Sequence, residues 1–452
     1  MEARLAVGKT GSQRESIVNS TAHTTISRRR MMAGLGAAGL LHGASTKPNF
    51  VFILADDLGT GGLSCYGSNN FRTPHIDALA ASGIRYTNAY TAPLCGPSRA
   101  LIMTGRYAFR TGATNQDATG EIKPDRETFL PKVLRPAGYR SACVGKWGQL
   151  PLGPASFGFD EYLQFRGSGS YWNSQERARN YVVNGQSKPL ADKQYLPDVM
   201  HDFAADFVAR HRDKPFCLYY SLSHIHAEIL PTPDSPPDSK DLYGDNIRYM
   251  DKLVGRIVGE LDRLKLRENT VIVFVGDNGT GNGYAERSTV RGRRLSGEKG
   301  SMLEGGALVP MIVSWKGTAP AAKVTPALTD STDFLPTFAE LAGASLPAGR
   351  VIDGRSLAPQ WRRKQARPRD WVFIQLARQW YVRDAKWKLN QKGELFDMSG
   401  APFEEPLAAV GSTEAAAARA KLQAVLDQLN PAGGIVDQGD GTGRHANRAK
   451  KE

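Results

Sequence analysis

Two pairs of polar residues in this sequence each follow an apolar run that is typical of a buried β-strand. Asp56 and Asp57 follow the run Asn-Phe-Val-Phe-Ile-Leu-Ala, and Asp277 and Asn278 follow Thr-Val-Ile-Val-Phe-Val-Gly. Continuous apolar runs of this length indicate strands that are covered on both faces. In an open parallel sheet, ligands bind where the carboxyl ends of the strands meet, so these four residues could share one site. An acidic pair after a strand is also an ordinary way to cap a loop.

Cys95 begins the string Cys-Gly-Pro-Ser-Arg-Ala-Leu-Ile-Met, which predicts the first turns of a helix. Backbone N–H groups at the start of a helix point toward an anion, so Cys95 is a candidate nucleophile. A lone cysteine is more commonly a buried thiol, and this is our interpretation of Cys65, Cys143 and Cys217. No Cys-x-x-Cys spacing indicates a zinc site.

Predicted strands and helices alternate along most of the chain, and these elements must position the polar residues. Apart from the two apolar runs, strands are predicted at Arg140–Val144, Phe216–Ser221 and Met311–Trp315. The spacing of apolar residues and the positions of proline and glycine predict helices at Pro74–Gly83, Pro197–Arg212 and Asp245–Leu264. This alternation indicates an α/β layered core.

The C-terminal part of the chain has a different pattern. Short alternating runs, each beginning with tryptophan, predict a small antiparallel sheet at Trp371–Gln375, Trp380–Arg383 and Trp387–Leu389. An alanine-rich stretch, Glu414–Leu429, predicts a closing helix, and the Pro- and Arg-rich Pro359–Arg369 is the expected domain linker. From Pro431 onward glycine and charge dominate, so we expect disorder there.

The first 45 residues are typical of an export signal. The basic string Ser27 to Arg30 precedes an apolar, Gly- and Ala-rich run from Met31 to Leu41 and then small residues through Ser45. This order matches the basic, apolar and cleavage regions of a secretory signal, and the paired arginines are similar to a twin-arginine signal. We therefore expect an exported protein, periplasmic or extracellular.

Composition and charge limit the classes of partner. The formal net charge of +13 can attract a polyanion by electrostatic steering. No nucleic-acid-binding motif accompanies this charge, which is spread along the chain, so nucleic acid is not an expected partner. No stretch reaches the roughly 18 apolar residues that a membrane helix needs, so we expect no stable membrane insertion.

The string from Cys95 to Arg99, Cys-x-Pro-Ser-Arg, and the Thr-Gly-Arg that ends at Arg106 resemble the maturation signature of the type I sulfatases. These are formylglycine-dependent enzymes of the alkaline phosphatase superfamily. The resemblance implies that a formylglycine-generating maturation enzyme, a transient partner, oxidises Cys95 to an aldehyde whose hydrate is a geminal diol. One hydroxyl of the diol would attack sulfur and displace the alcohol, and the other would then expel sulfate.

The same resemblance implies a metal site. Asp56 and Asp57 match the family's first metal-binding pair, Asp277 and Asn278 match the second, and a diol oxygen at Cys95 completes the protein ligands. Oxygen ligands suit a hard divalent cation, and their number and flexibility favour one Ca²⁺ over Mg²⁺. Calcium and the formylglycine at position 95 are therefore the expected cofactors.

Four further residues complete the catalytic set that the resemblance implies. Arg99 is expected to steady the diol oxygen, and Lys146 in Gly-Lys-Trp and Lys299 in Gly-Glu-Lys-Gly match the family's sulfate-binding lysines. Each lysine taken alone would be interpreted as a surface charge. His226 matches the catalytic histidine, which binds the sulfate or protonates the departing alcohol. His224 is expected to be a structural neighbour on the opposite face of an extended segment.

One departure from the family pattern lies near Lys146. Many members have a histidine after Gly-Lys-Trp, where it helps to position the diol or the sulfate, but this chain has Gly148 and Gln149. Either Gln149 binds the substrate as a neutral donor, or the site has lost one titrating group.

The resemblance also implies a fold, a domain organisation and a function. We expect a large mixed, mostly parallel sheet between helices, as in alkaline phosphatase, with a small C-terminal antiparallel sheet and helix. The expected parts are an export signal over 1–45, a catalytic domain over 46–360, a C-terminal α+β subdomain over 370–430 and a disordered tail over 431–452. The expected activity releases sulfate from a sulfated carbohydrate or an aryl sulfate. The alternatives are a phosphodiesterase or phosphonate monoester hydrolase of the same superfamily, and an inactive protein that binds sulfated glycans.

Overall fold

A mixed sheet, with ten strands in the described part of the chain, forms the centre of the protein. The computed structural model describes residues 47–439 except 149, 151, 166, 168–170, 174–178 and 410, so Gln149 and the expected export signal lie outside the described residues. The sheet contains strands β1 Asn49–Ala55, β2 Ile84–Tyr90, β3 Arg140–Lys146, β4 Glu161–Phe165, β5 Asn180–Val183, β6 Gln186–Pro189, β7 Phe216–Ser221, β8 Thr270–Gly276, β9 Leu308–Ser314 and β10 Lys323–Asp330.

The strand order is β10, β2, β9, β8, β1, β7, β3, β4, β5, β6. Strands β8, β1, β7, β3 and β4 run parallel to one another, and β10 is parallel to β2. The pairings made by β9 and β5 are antiparallel. The expectation of a mixed, mostly parallel sheet is confirmed.

The α-helices of the described residues connect and cover these strands. They are α1 Pro74–Ala81, α2 Cys95–Thr104, α3 Ala108–Thr111, α4 Leu130–Leu134, α5 Leu196–Arg210, α6 Leu242–Arg263, α7 Glu304–Ala307, α8 Phe334–Ala342, α9 Ala358–Trp361 and α10 Thr413–Leu429. Helix α6 begins earlier than its apolar spacing predicts, because the side chain of Asp241 accepts a hydrogen bond from the Gly244 N–H and caps the helix. Among the described residues, none of the helices combines the length and apolarity needed to cross a membrane.

Two hydrophobic cores lie on the two faces of the large sheet. Phe50, Phe52 and Leu54 of β1 face one core, which also contains side chains of α2 and α8. Val51 and Ile53 face the other, together with side chains of α5 and α6. Because both faces are buried, every position of β1 is apolar or fully covered, which is the pattern that marks it as a strand in the sequence.

The small C-terminal sheet is antiparallel, as expected, and has one strand more than the sequence patterns predict. Its strands, adjacent in chain order, are β11 Val372–Leu376, β12 Gln379–Arg383, β13 Trp387–Asn390 and β14 Leu395–Asp397. Leu422 and Leu426 of α10 pack in one core with Leu389 of β13, so the predicted closing helix covers this sheet.

A buried group of polar and charged residues joins the small sheet to the first residue of α7. We call it the C-terminal ion-pair cluster: Tyr90, Glu304, Arg383, Lys388 and Glu405. Glu304 accepts hydrogen bonds of 2.7 Å from both Tyr90 and Arg383, while Lys388 pairs with Glu405. The backbone N–H of Glu304 also donates to Glu405, at 2.6 Å.

The segment expected to be a linker, Pro359–Arg369, is anchored to the body of the protein. Trp361 is fully buried, and Arg369 is only 5% exposed. The Nε of Arg369 donates to both carboxylate oxygens of Asp333 at 2.8 Å. A buried arginine requires such a partner, and the pair holds this end of the segment in place.

Residues 431–439 differ from the expectation of disorder over 431–452. The Ile435 N–H donates to the carbonyl oxygen of Phe109 at 2.7 Å, and the buried Asp437 accepts a hydrogen bond of 2.9 Å from Thr114. These partners come from a distant part of the chain, so local composition does not reveal them. Residues 440–452 lie outside the described residues.

Candidate active site

Polar residues from four adjacent strands meet at one edge of the large sheet. Lys146 and Ser221 are the last residues of β3 and β7, and Asp56 and Asp277 directly follow β1 and β8. These strands are neighbours and run parallel, so their carboxyl ends lie side by side. The backbone N–H of Asp57 donates to Asp277 Oδ1 at 3.0 Å and ties the two acidic loops together.

Helix α2 brings Cys95 and Arg99 to the same edge. The two residues are one turn apart on a helix that begins at Cys95, so both side chains lie on the face directed at the strand ends. Both are almost completely buried, with exposed fractions of 4% for Cys95 and 1% for Arg99. The predicted helix start at Cys95 is therefore present, and it places a thiol and a guanidinium beside the acidic loops.

Arg99 connects the strand ends from within. Its Nη2 donates to Asp277 Oδ2 at 2.8 Å and lies 3.9 Å from Asp56 Oδ1. Its Nη1 donates to the backbone carbonyl of Lys146 at 2.8 Å and to the hydroxyl of Ser221. One buried guanidinium thus fixes the relative positions of three loops.

Lys146 lies between an acid and the candidate nucleophile. Its Nζ is 2.5 Å from Asp56 Oδ2 and 3.6 Å from the Sγ of Cys95. The buried ammonium group can therefore act on an atom attached at position 95 while Asp56 balances its charge.

The remaining predicted residues lie around the carboxylate of Asp57. Lys299 Nζ lies 2.6 Å from Asp57 Oδ1, and the amide nitrogen of Asn278 donates to the same oxygen at 2.9 Å. His226 Nε2 is 3.8 Å from Asp57 Oδ2. The structure therefore brings together every sequence-predicted site residue that it describes.

Burial and charge set the protonation of these groups. Burial raises the pKa of the Cys95 thiol, against the opposing charge of Lys146. Burial and the neighbouring Asp56 carboxylate raise the pKa of Asp277. Burial also opposes the ionisation of Asp56, but the positive charges led by Lys146 hold its pKa well below the usual range. The surrounding cations therefore keep Asp56 ionised, and the unmodified thiol is protonated at neutral pH.

The arrangement of oxygens fits a hard cation. Asp56 Oδ1 and Asn278 Oδ1 are buried, and neither has a hydrogen-bond partner among the described residues. Ligand atoms of Asp56, Cys95 and Asp277 lie within 4.8 Å of one another, and so do those of Asp56, Asp57 and His226. Buried oxygens without donors are costly unless a cation or another ligand binds them. These residues could hold a metal ion between the two acidic loops.

The two neighbouring histidines have different environments. His226 Nδ1 lies 2.5 Å from the carbonyl oxygen of Ala227, which can only accept, so Nδ1 carries hydrogen and Nε2 faces the site. His224 is fully buried, pairs with the Tyr195 hydroxyl at 3.0 Å and stacks on Tyr171. Burial lowers the pKa of His224 to about 3, so it stays neutral. Only His226 is placed to exchange a proton with a ligand.

A cavity of about 190 Å³ leads from the surface to this group of residues. Its lining combines polar, charged and apolar residues, and consists of Asp57, Ile225, His226, Ala227, Gly281, Asn282, Tyr284 and Lys299. An anionic group entering the cavity would meet Lys299 and His226 first.

Two residues of the site were not predicted from the sequence. Ser221 bonds to Arg99 and, at 2.7 Å, to the carbonyl of Lys146; its place at the end of a predicted strand was an available signal. Gln116, in an irregular loop without a motif, lies 3.5 Å from the Sγ of Cys95, and no sequence feature marks it. The predicted substrate-binding residue Gln149 lies outside the described residues.

Comparison with known proteins gives a consistent result. Residues 48–344 match the family model described as Sulfatase. The chain is 36% identical over 361 residues to N-acetylgalactosamine-6-sulfatase of Canis lupus familiaris, covering 72% of this chain and 67% of that protein. It is 32% identical over 409 residues to steryl-sulfatase of Rattus norvegicus, covering 69% and 70% respectively. The crystal structure of Ps i-CgsB in complex with k-i-k-neocarrahexaose has a TM-score of 0.74 at 28% identity, covering 85% of this chain and 92% of that chain.

The match and the geometry agree. The matched residues include both acidic loops, the Cys-x-Pro-Ser-Arg string and both lysines. The match ends at residue 344, just after α8. The structural likeness extends through most of the chain. This chain therefore belongs to the sulfatase family and is an enzyme of the sulfate ester hydrolase class.

Proposed function

We propose that this sulfatase releases inorganic sulfate from a sulfated carbohydrate, with formylglycine formed from Cys95 as the nucleophile and one calcium ion in the site. The observation that carries the proposal is the placement of Cys95 at the start of α2. Its Sγ lies 3.6 Å from the Lys146 ammonium and beside the oxygens of Asp56 and Asp277.

The protonation state of the Cys95 thiol supports the proposal that formylglycine, and not the thiol, is the nucleophile. Burial raises the pKa of Cys95, so the unmodified side chain is a neutral thiol and a poor nucleophile at neutral pH. Attack by the thiol on the sulfate ester would displace the alcohol and leave an S-sulfocysteine, which has no second hydroxyl on the same carbon able to expel sulfate. When formed, the formylglycine hydrate would supply the attacking hydroxyl and a second hydroxyl for the release step.

The charged residues have separate tasks in this proposal. Lys146 and Lys299 approach from two sides and would bind the sulfate oxygens, which carry more charge as the ester bond breaks. In its doubly protonated form, His226 would donate a proton from Nε2 to the departing alcohol while Nδ1 keeps its hydrogen bond to the Ala227 carbonyl. Arg99 contacts Asp277 and the Lys146 backbone, so it positions the acids and the lysine.

Asp56, Asp57, Asp277 and Asn278 would hold the metal ion, with an oxygen at position 95 as a further ligand. Such an ion supplies positive charge that lowers the pKa of a bound hydroxyl and neutralises the sulfate. The oxygen-only ligands and their number favour calcium over magnesium.

A carbohydrate substrate agrees with the relatives and with the cavity. One relative is named for N-acetylgalactosamine, and the solved Ps i-CgsB contains a neocarrahexaose. Another is named a steryl-sulfatase, but the cavity of this chain has polar side chains such as Asp57, His226 and Asn282 at its wall. Hydroxyl-rich ligands pair with such groups better than sterols do. The net charge of +13 also favours a sulfated polymer.

Export and maturation complete the proposal. The order of basic, apolar and small residues through Ser45 supports export, and the Cys-x-Pro-Ser-Arg string supports a transient encounter with a formylglycine-generating enzyme. Replacing Arg28 and Arg29 with lysine should retain the protein in the cytoplasm if the twin-arginine route is used.

The test is a panel of defined sulfated saccharides, assayed for inorganic sulfate with calcium present and after chelation. We expect sulfate release from at least one saccharide, loss after chelation, and recovery when calcium is restored. Mass spectrometry of the peptide that contains Cys95 should show the lower mass of formylglycine. Hydrolysis of an aryl phosphodiester in preference to every sulfate ester would contradict the proposal, as would turnover that survives chelation.

A further inference from the structure

The side chain of Gln116 lies directly against the proposed nucleophile. Its Oε1 is 3.5 Å from the Sγ of Cys95, a distance similar to that of Lys146 Nζ, and Gln116 is only 8% exposed. The sequence motifs do not include this glutamine, and the roles proposed above do not use it.

The orientation of the Gln116 carboxamide is determined by the helix. The backbone N–H of Gly96, the second residue of α2, donates to Oε1 at 3.0 Å. A backbone N–H can only donate, so the atom that faces both Gly96 and Cys95 must be the oxygen. A hydrogen-bond acceptor is therefore aimed at the side chain of position 95.

The loop around Gln116 is held from within and from the C-terminal part of the chain. Asn115 Oδ1 accepts hydrogen bonds from the N–H groups of Asp117 and Ala118, at 2.8 and 2.7 Å. Asp437 accepts from Thr114 and Asn115, in the residues just before Gln116. The position of the carboxamide is thus set by the folded protein before any substrate binds.

Two glycines near position 95, Gly96 and Gly148, present no side chain of their own there. A Cβ on Gly96 would lie 2.9 Å from Gln116 Oε1, so the glutamine packs closely on the helix start. Gly148 stands where many family members have a histidine; its φ is +88°, and a Cβ there would lie 3.1 Å from Arg99 Cδ. Gly148 offers no side chain to position 95, whereas Gln116 offers an oxygen.

We propose that Gln116 is a positioning residue that accepts a hydrogen bond from one hydroxyl of the matured side chain at position 95. This inference rests on the proposed formylglycine nucleophile. A geminal diol has two hydroxyl groups that must do different things, and an acceptor on one of them leaves the other directed at sulfur. The role is that of a neutral group, so it adds no titration to the site.

The test compares Gln116→Met with Gln116→Glu and with a control, Gln375→Met, in the full-length enzyme at pH 8. Methionine keeps the length and volume of glutamine but has no carbonyl oxygen, and glutamate keeps the acceptor oxygen. Gln375 is also buried, at 6% exposed, and donates to Ala377, whose N–H bonds to the carbonyl of Thr114 near the same loop. The control therefore reports disturbance of the loop without loss of the acceptor.

We expect Gln116→Met to lower kcat by about 10-fold to 100-fold with little change in KM, because a misplaced nucleophile affects the chemical step. Gln116→Glu should recover most of that loss, and Gln375→Met should keep the wild-type kcat. The extent of conversion at position 95 is measured by mass spectrometry in every variant, and kcat is expressed per converted site. A wild-type kcat in converted Gln116→Met, a loss matched by Gln375→Met, or a loss that Gln116→Glu does not recover would overturn the inference alone. An active wild-type enzyme that keeps its thiol would overturn the proposed nucleophile as well, so the two failures are distinguishable.

Discussion

The active site and the C-terminal ion-pair cluster are both groups of buried charges, but the charges are arranged differently. In the C-terminal cluster each carboxylate has its own cation, as in the pairs Glu304 with Arg383 and Glu405 with Lys388. In the site the carboxylates also have cationic partners, but oxygens or sulfur of Asp56, Cys95 and Asp277 converge within 4.8 Å of one another. Within the described residues, no such convergence of three acidic, histidine or cysteine side chains is found outside the site.

This difference shows that buried charge alone does not identify a functional site. A buried one-to-one pair balances its own charge and links two parts of the fold, as Glu304 and Arg383 do between α7 and β12. Burial and the repulsion from the converging Asp56 carboxylate raise the pKa of Asp277, so the folded protein bears a cost that a bound cation would relieve. The convergence, together with a nucleophile, is the feature that indicates chemistry.

The largest effect is expected for Cys95→Ala. Loss of the nucleophile should reduce sulfate release by at least about 10⁴-fold, because the remaining groups can only bind and polarise the ester. Cys143→Ala is the matched control, since Cys143 is also a buried, free thiol but lies within β3. Steady-state assays of both purified variants check this, and comparable losses in the two would remove the special status of Cys95.

The next effect concerns the C-terminal cluster. Arg383→Met should lower the free energy of unfolding by about 3–5 kcal/mol, because it leaves the buried Glu304 carboxylate without its cation. The control Lys386→Met removes an exposed pair with Glu414 and should leave the free energy of unfolding nearly unchanged, because solvent screens such a pair. Urea unfolding measures both. A large loss of kcat in folded Arg383→Met, without loss of stability, would place this cluster in the catalytic machinery.

Within the site, Lys299→Met should lower kcat/KM by about 10²-fold to 10³-fold, corresponding to the loss of one preorganised charge on the transition state. Lys316→Met offers a control, because Lys316 is exposed and lies 4.0 Å from Asp262 at the surface. Its kcat/KM should equal that of the wild type. If Lys299→Met retains full kcat/KM, Lys299 serves only to balance Asp57.

The smallest effect concerns Asp330, a buried acid outside both groups. Burial and the neighbouring Asp333 carboxylate raise its pKa to about 6, against the opposing charge of Arg369. The folded protein therefore holds a proton on Asp330 that the unfolded chain releases near pH 4, and the stability from this group is lost as pH rises from about 4 through about 6. The change amounts to at most about 3 kcal/mol.

Asp330→Asn removes this titration. Between pH 4 and pH 8 the wild type should lose stability that the variant does not lose. The free energy of unfolding of the variant minus that of the wild type should therefore increase with pH, as measured by urea unfolding at each pH. A constant difference across that range would show that Asp330 is ionised throughout. In that case the positive charge of Arg369 would balance both the Asp330 and the Asp333 carboxylates.

Regular patterns made several elements predictable. Strands β1, β7 and β8 are buried on both faces, and their uninterrupted apolar runs marked them. Strand β2 was missed because Arg85, Thr87 and Asn88 interrupt its pattern, and these side chains are only half-buried. Strand β14 has only three residues and depends on its pairing with β13. Patterns identify elements whose environment is uniform, and they fail at edges and short pieces.

The site was predictable to the extent that its residues belong to motifs. Cys95 and Arg99 are one helical turn apart, so their common face follows from covalent spacing, and their string carried the resemblance to the family. Gln116 belongs to no such string. It meets Cys95 only because the loop that carries it is bonded to Asp437, more than 300 residues away in the chain.

By itself, the sequence determined the kinds of element, the start of α2 and the chemistry of each side chain, because these depend on neighbours within a few residues. Only the tertiary structure decided that Asp57 and Asp277, which are 220 residues apart, share a hydrogen bond. That contact requires β1 and β8 to be adjacent and in register, and the order of strands is set by packing across the whole sheet. The same packing decides which charges pair and which ligand atoms, such as those of Asp56, Cys95 and Asp277, converge.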